Sequence, residues 1–494
     1  MRTSTGPGRW IARGCRALVC TGLATATGCA TLRATVAGYA TGPNGITRPQ
    51  QQLRQALVDA DYTKALAWHE DDALLQALTT GVAAYYAGQF TRSAAVLDTA
   101  ALVADDRITA SLSRDGLALV TNDMARPYQP RRTERLFIPY YAMLSYVQLG
   151  AWEDAAVEAR RLVALLDQYG EERDQGERTV HGAMQHLAGA VFERAGERDA
   201  AQVAYRAAHA LAPVLPESPS RSTIADEGEL LIVVERGFVA HRATETIELE
   251  LDGDERDSLG GDEHRRRAAS RIIADAGIGG RRNDAGTSAV TSALTLPTFA
   301  PSRRRHHHDD DDYHLTVAFP SLRRSLRPWG GAVRLAVDGT AVDGVTMSAV
   351  VDDASEVDAR RERVALATRA VARAATKYVV TKAVKDKKGE VAGKIANFSA
   401  SLLERADVRS WHVLPQTVTL ARVRVPAGTR AVRIDVGEGW SVRTVDVGTA
   451  FVRAGTLTIV PVRLWRDPPP QPARAMPVPV VAEADTVCTM VFCQ

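Results

Sequence analysis

Few residues of this chain stand at spacings that could do chemistry, and the spacing limits what each group can do. Cysteine occurs at 15, 20, 29, 488 and 493. Cys488 and Cys493, in TVCTMVFC, can close a local disulfide in an oxidising compartment or remain two thiols, because this spacing needs a particular bend to bring the sulfurs together. His306, His307 and His308 abut Asp309, Asp310, Asp311 and Asp312. That run reads as a transition-metal tract or as a solvated charged loop. Adjacent histidines lack the separated geometry of a closed zinc site, and DGDERDS lacks calcium-loop spacing, so no metal site and no cofactor are expected. Asp123 and Glu134 are carboxylates that, brought together in a cleft, could do acid and base work on a glycosidic bond. Arg369, Arg373 and Lys377 recur every four residues, which on a helix makes one cationic face. That face is either solvated or turned toward anionic headgroups or an acidic protein.

Cys29 differs from the other cysteines in what precedes it. Arg2, Arg9, Arg13 and Arg16 fall in the first sixteen residues with no acidic residue, and the segment from Ala17 to Gly28 is short and weakly apolar. It is too short to span a bilayer but adequate as the apolar part of a signal peptide. Ala26, Thr27 and Gly28 put small residues directly before the cysteine. The arrangement resembles a bacterial lipoprotein signal, with Ala26 where such signals usually have Leu. It implies cleavage of residues 1–28 and transfer of diacylglycerol to the Cys29 sulfur. With an amide-linked chain as well, the anchor exceeds one acyl chain, the condition for stable attachment. Ala30, in place of Asp, resembles the sorting pattern of the outer membrane. Losing the four leader arginines changes the formal charge from +2 to −2, since 61 basic residues fall to 57 against 59 acidic ones. Net positive charge is thereby excluded as a basis for nucleic-acid binding.

The elements that must position these groups fall into two halves. After a linker over 29–48 rich in Gly, Pro and Asn, residues 49–214 carry three similar stretches: AYYAGQFTRSAAVLDTA, SYVQLGAWEDAAVEARRL and VFERAGERDAAQVAYRAAHAL. Each places an apolar helix end before a glycine (Gly88, Gly150, Gly196), then a polar turn and a helix with an early alanine (Ala94, Ala155, Ala201). Glycine permits the tight turn and alanine the close approach of crossed helices. The pattern looks like about three tetratricopeptide-like helix pairs in a degenerate solenoid. The apolar helix LFIPYYAMLSYVQL, with Tyr140, Tyr141 and Tyr146, either lines a ligand groove or packs in the core with its phenolic oxygens at the edge.

Composition changes near residues 214 to 226. From 227 to 466 the chain reads as a mainly antiparallel β domain with one long helix, so the expected class is α+β. GELLIVVERGFVAHRATETIELEL gives two extended runs with Arg236-Gly237 at a turn, and residues 252–312 form a charged, glycine-containing insertion expected to be disordered. YHLTVAFP and AVRLAVDGTAVDGV return to strand. The helix runs from about Ser355 to Asp386, with Val364, Val371, Ala375 and Tyr378 as its apolar stripe. WHVLPQTVTLARVRVPAGTRAVRIDVGEGWSVRTVDVGTAFVRAGTLTIVPVRLW alternates most clearly, with PAGT and GEGW as hairpin connections. Residues 467–494 are a proline-rich tail.

No G-x-S-x-G elbow, H-E-x-x-H helix, phosphate loop or dinucleotide fingerprint occurs, and no catalytic residue is assigned. GCATL, ERLFIPYYAMLSYVQLGAWEDAAVEARR, ELLIVVERGFVAHR, TRAVARAATKY and RSWHVLPQTVTLARVRVPAG together resemble a family of bacterial envelope lipoproteins with a tetratricopeptide-like front half. Genes of that family tend to lie beside those for lipoproteins similar to an activator of penicillin-binding proteins and to the curli-export component. The resemblance implies a membrane attachment through the lipid and partners among envelope proteins, other lipoproteins included. Two readings follow. One is a noncatalytic, outer-membrane-anchored scaffold whose body faces the periplasm or surface and whose helix pairs bind another envelope protein. The other is a binder or hydrolase of cell-wall or surface polysaccharide, with a cleft between the halves.

Overall fold

The computed structural model describes residues 46–114, 126–170, 174–217, 226–251, 313–324, 332–363, 366, 406–437, 442–466 and 491–493; for 110–114, 245–251, 313–319 and 491–493 only the backbone is described. Among the described residues all helices but one precede the strands, an α+β arrangement. The helices are α1 (Arg48–Val58), α2 (Tyr62–Leu66), α3 (Ala73–Tyr86), α4 (Phe90–Arg114), α5 (Arg132–Leu149), α6 (Trp152–Gln168), α7 (Gln175–Arg194) and α8 (Arg198–Leu211). A further helix, α9, covers 351–363.

Three helix hairpins, α3–α4, α5–α6 and α7–α8, reverse direction by the same local device. Gly88, Gly150 and Gly196 take left-handed φ values of 72°, 69° and 82°. One residue later an N–H reaches back to a carbonyl of the ending helix: Gln89 to Ala84 at 2.8 Å, Ala151 to Tyr146 at 3.0 Å, Glu197 to Phe192 at 2.8 Å. This is the bonding of a Schellman cap, which satisfies orphan carbonyls and requires a residue that tolerates positive φ. Ala94, Ala155 and Ala201 are buried on the second helices as the sequence requires.

The strands are β1 (Glu227–Arg236), β2 (His241–Leu251), β3 (Tyr313–Arg323), β4 (Val333–Val337), β5 (Thr340–Val342), β6 (Val345–Val350), β7 (Thr417–Pro426), β8 (Gly428–Val436), β9 (Arg443–Val452), β10 (Leu457–Leu464) and β11 (Val491–Cys493). They form a five-stranded sheet in the order β11-β10-β1-β7-β6, a four-stranded sheet in the order β5-β4-β8-β9, and a β2–β3 ribbon. The larger sheet is mixed: β1 runs parallel to β10 and antiparallel to β7. The chain reaches β10 only after building β8 and β9, and so returns beside β1 in the same direction.

Alternate positions of β1 face different layers. Leu230, Ile232 and Val234 join Leu335, Val423, Ile434 and Val462 in a core between the two sheets. Leu231 and Val233 join Met347, Leu420 and Ile459 in a core that continues through Leu78, Tyr141, Leu144 and Leu187 of the helices. The molecule thus has three layers: helices, five-stranded sheet, four-stranded sheet. Both sides of β1 are covered, which explains its nearly unbroken LLIVV run.

One connection departs from the sequence reading. The PAGT segment is not a hairpin within one sheet: β7 belongs to the larger sheet and β8 to the smaller, and Gly428, at φ 116°, turns the corner between layers. The Arg236-Gly237 turn is present, with Gly237 at φ 61°, and beyond it β2 leaves the sheet and pairs with β3. GEGW does connect an antiparallel pair, β8 with β9.

Candidate functional site at the helix–sheet junction

Among the described residues, charged side chains are buried where the helices cover the larger sheet, and three clusters of them stand out. The first centres on Glu235 at the end of β1. Tyr86 of α3 and Tyr140 of α5 donate hydroxyl hydrogens to its carboxylate at 2.8 and 2.9 Å. Tyr86 is thereby a donor toward Glu235, so the 2.7 Å contact between Tyr86 and Tyr141 is made by the Tyr141 hydroxyl donating. Burial raises Glu235 above the usual carboxylate range, against the pull of Arg463 and the tyrosine bonds. Arg463 stands opposite Glu235 in the β1–β10 register. Its guanidinium lies 4.1 Å from the ring centroid of Trp465 and donates to the Gly237 carbonyl at 2.5 Å. Tyr86 comes from α3, Tyr140 and Tyr141 from α5, and Arg463 from β10, so the cluster fixes α3 and α5 on the sheet.

Arg54 of α1 extends this junction. It donates to the His412 carbonyl at 2.7 Å and to the Val239 carbonyl at 3.0 Å, with its guanidinium 4.8 Å from the Phe238 ring. Burial lowers Arg54 to about 9, with Asp352 opposing and Arg463 reinforcing the shift. The His412 ring beside it is held neutral by burial and then by Arg54 and His241.

The second cluster is a clamp around Arg422 of β7. It bonds Glu229 Oε2 through Nε at 2.7 Å, the Tyr205 hydroxyl at 2.7 Å, and Glu193 at 3.0 Å. Burial works against the charge, but Tyr205, Glu193 and Glu229 outweigh it and hold the guanidinium protonated. The α7–α8 hairpin is thereby tied to β1 and β7.

The third cluster contains Glu134, which sequence reasoning offered as a catalytic carboxylate. The structure corrects this reading. Glu134 is buried at the third position of α5, and both oxygens are taken. Oε1 accepts from the Trp411 N–H at 2.8 Å; Oε2 accepts from the Tyr128 hydroxyl at 2.8 Å and the Arg131 N–H at 2.9 Å. It caps its own helix and ties that helix to the segment before β7. Nearby, Arg131 and Arg242 share Glu362 Oε2 at 3.3 and 2.6 Å, and Asp358 of α9 accepts the Thr133 N–H at 2.8 Å. Burial raises Asp358 to about 6, with the Thr133 bonds opposing. These residues border a cavity of about 20 Å³, room for about one water and too small for a sugar ring.

Tyr140 and Tyr141 line no groove: they are buried core residues with bonded hydroxyls, and Tyr146 reaches Asp98 at 3.0 Å. Cys29, Asp123, His306 to His308, Asp309 to Asp312, Arg369, Arg373, Lys377 and Cys488 lie outside the described residues, and of Cys493 only the backbone is described, at the end of β11 beside Leu464. Among the described residues no cluster of His, Cys, Asp or Glu could hold a metal ion, and no helix is long and apolar enough to cross a membrane. The junction clusters escaped the sequence reading, although Glu235 and Arg463 each interrupt a strongly apolar strand, which is the signal that could have found them. Comparison with protein-family models, curated proteins and solved structures finds no match to the chain.

Proposed function

We propose that the protein is a noncatalytic protein-binding scaffold of the bacterial envelope, anchored in the outer membrane through lipid on Cys29, with three tetratricopeptide-like helix pairs presenting the contact surface. The first helix of each pair is committed to the sheet of the same chain, so the surface offered to a partner is that of the second helices. The observation carrying this reading is a row of exposed apolar residues there: Leu102 on α4 (64% exposed), Val157 on α6 (45%) and Val203 on α8 (59%). Asp98–Arg161 at 3.3 Å and Glu197–Arg160 at 2.7 Å link α4, α6 and the start of α8, which supports reading these second helices as one face. Apolar anchors in a polar surround are the composition of a protein-recognition patch.

The test is affinity capture from detergent-solubilised envelope with the wild-type chain and with Leu102→Glu/Val157→Glu/Val203→Glu. A specific envelope protein recovered by the first and lost by the second is expected. Equal recovery by both would overturn the assignment of the surface.

A further inference from the structure

The β2–β3 ribbon is the one sheet among the described residues with only two strands. Its register runs unbroken through eleven pairs, from His241 opposite Arg323 to Leu251 opposite Tyr313. The base is fixed in the body: the Ala240 N–H donates to Asp352 Oδ1 at 2.6 Å, Arg242 pairs with Glu362 at 2.6 Å, and His241, Arg242 and Ala243 are buried. Thr244 is exposed, and from its pair with Pro320 the ribbon continues through eight pairs, about 27 Å at about 3.4 Å per residue.

Period-two alternation in this register separates two kinds of position. Ile247, Leu249 and Leu251 of β2 share one side with Leu315 and Val317 of β3, and Tyr313 and Phe319 stand toward the two ends of that side; Glu245, opposite Phe319 near the base, is its one charge. The other side carries Thr246, Glu248 and Glu250 with Thr316 and His314. An isolated two-stranded ribbon is marginal in water, and an apolar side of this extent requires a cover.

Strand length and chemistry together indicate the cover. The eight pairs outside the body, about 27 Å long, are comparable to the apolar band of an outer-membrane barrel, about 25 Å tall. An apolar side alternating with a polar one, with aromatic residues at both ends, is the pattern of barrel strands in an outer membrane. Unpaired strand edges are not tolerated in hydrocarbon, and the ribbon has two open edges among the described residues. We infer that the β2–β3 ribbon enters a lipid bilayer with its apolar side against the hydrocarbon, its edges pairing with the same ribbon of neighbouring copies to close an oligomeric barrel. Positions 246, 248 and 316 then fall on the side away from the hydrocarbon, that of an aqueous lumen. This goes beyond the scaffold reading and does not depend on lipid at Cys29.

The test places a fluorescent label on single cysteines introduced as Thr246→Cys, Ile247→Cys, Glu248→Cys and Leu249→Cys in the full chain, with Cys15, Cys20, Cys29, Cys488 and Cys493 changed to Ser, and in parallel with Cys29 kept. The proteins are reconstituted into phosphatidylethanolamine–phosphatidylglycerol vesicles. Labels at 247 and 249 should be quenched several-fold more by nitroxide-bearing lipids than labels at 246 and 248, and the order should reverse with aqueous iodide. The Cys29→Ser form should show the same alternation, which separates this result from the anchoring question. Odd positions shielded from both quenchers would mean the apolar side is covered by protein, and equal quenching at both parities would mean the ribbon stays in water; either overturns the inference.

Discussion

Replacing Glu134 tests whether the carboxylate is a packing acceptor or a reactive group. It accepts from four donors: the Tyr128 hydroxyl, the backbone N–H groups of Arg131 and Trp411 and, at 3.4 Å, the Arg131 guanidinium. Leaving a buried donor unsatisfied costs about 1–3 kcal/mol. In Glu134→Gln the amide oxygen can still accept from one or two backbone donors, and the Tyr128 hydroxyl can rotate to accept from the new amide, so the loss should be about 1–3 kcal/mol. In Glu134→Ala both backbone donors are orphaned, and the loss should be about 3–5 kcal/mol. Urea denaturation followed by tryptophan fluorescence and far-ultraviolet circular dichroism provides the assay. Both probes should move together, and alanine should cost more than glutamine, because the helices and the sheet share one core. A Glu134→Gln protein as stable as the wild type, yet defective in acting on isolated cell wall, would refute the reasoning and restore the acid–base role.

Further expected outcomes concern other clusters. Burial, then the Asp98 carboxylate, raises Glu158 from 4.5 to about 7 against the pull of Arg161. The folded state thus holds this proton more tightly than the unfolded chain. The contribution is complete below the unfolded value and lost as pH rises through about 7, so thermal unfolding should show a gain at pH 5.5 over pH 8 of order 1–3 kcal/mol that Glu158→Gln abolishes. Arg422→Met leaves buried Glu229 with only the longer 3.4 Å contact from the half-exposed Arg424, and denaturant titration should show a loss of about 3 kcal/mol. Gly150→Ala forces alanine into φ 69° at the α5–α6 reversal and should lower the same midpoint by about 1 kcal/mol.

The helix hairpins were legible because their signals are local: Gly88, Gly150 and Gly196 must take positive φ, and Ala94, Ala155 and Ala201 must fit a close crossing. Strand existence was legible by alternation for the same reason. Strand partnership was not, since nothing near PAGT reveals that β7 and β8 lie in different layers, and the parallel β1–β10 pair joins residues more than two hundred positions apart. The misassigned Glu134 has a related cause. A glutamate three residues into a helix reads equally as a cap or as a free carboxylate, and only Trp411, distant in sequence, decides between them. Glu235 was passed over because a single charge at a strand end looks like a solvated terminus until three tyrosines from two helices converge on it.

The scaffold account rests most directly on what happens at Cys29, and one measurement tests it: the mass of the N-terminal peptide of the protein isolated from native membranes. The account predicts a peptide beginning at Cys29 and carrying a diacylglyceryl thioether with an amide-linked acyl chain. A peptide that retains the basic leader, or begins elsewhere with an unmodified thiol at Cys29, would contradict it.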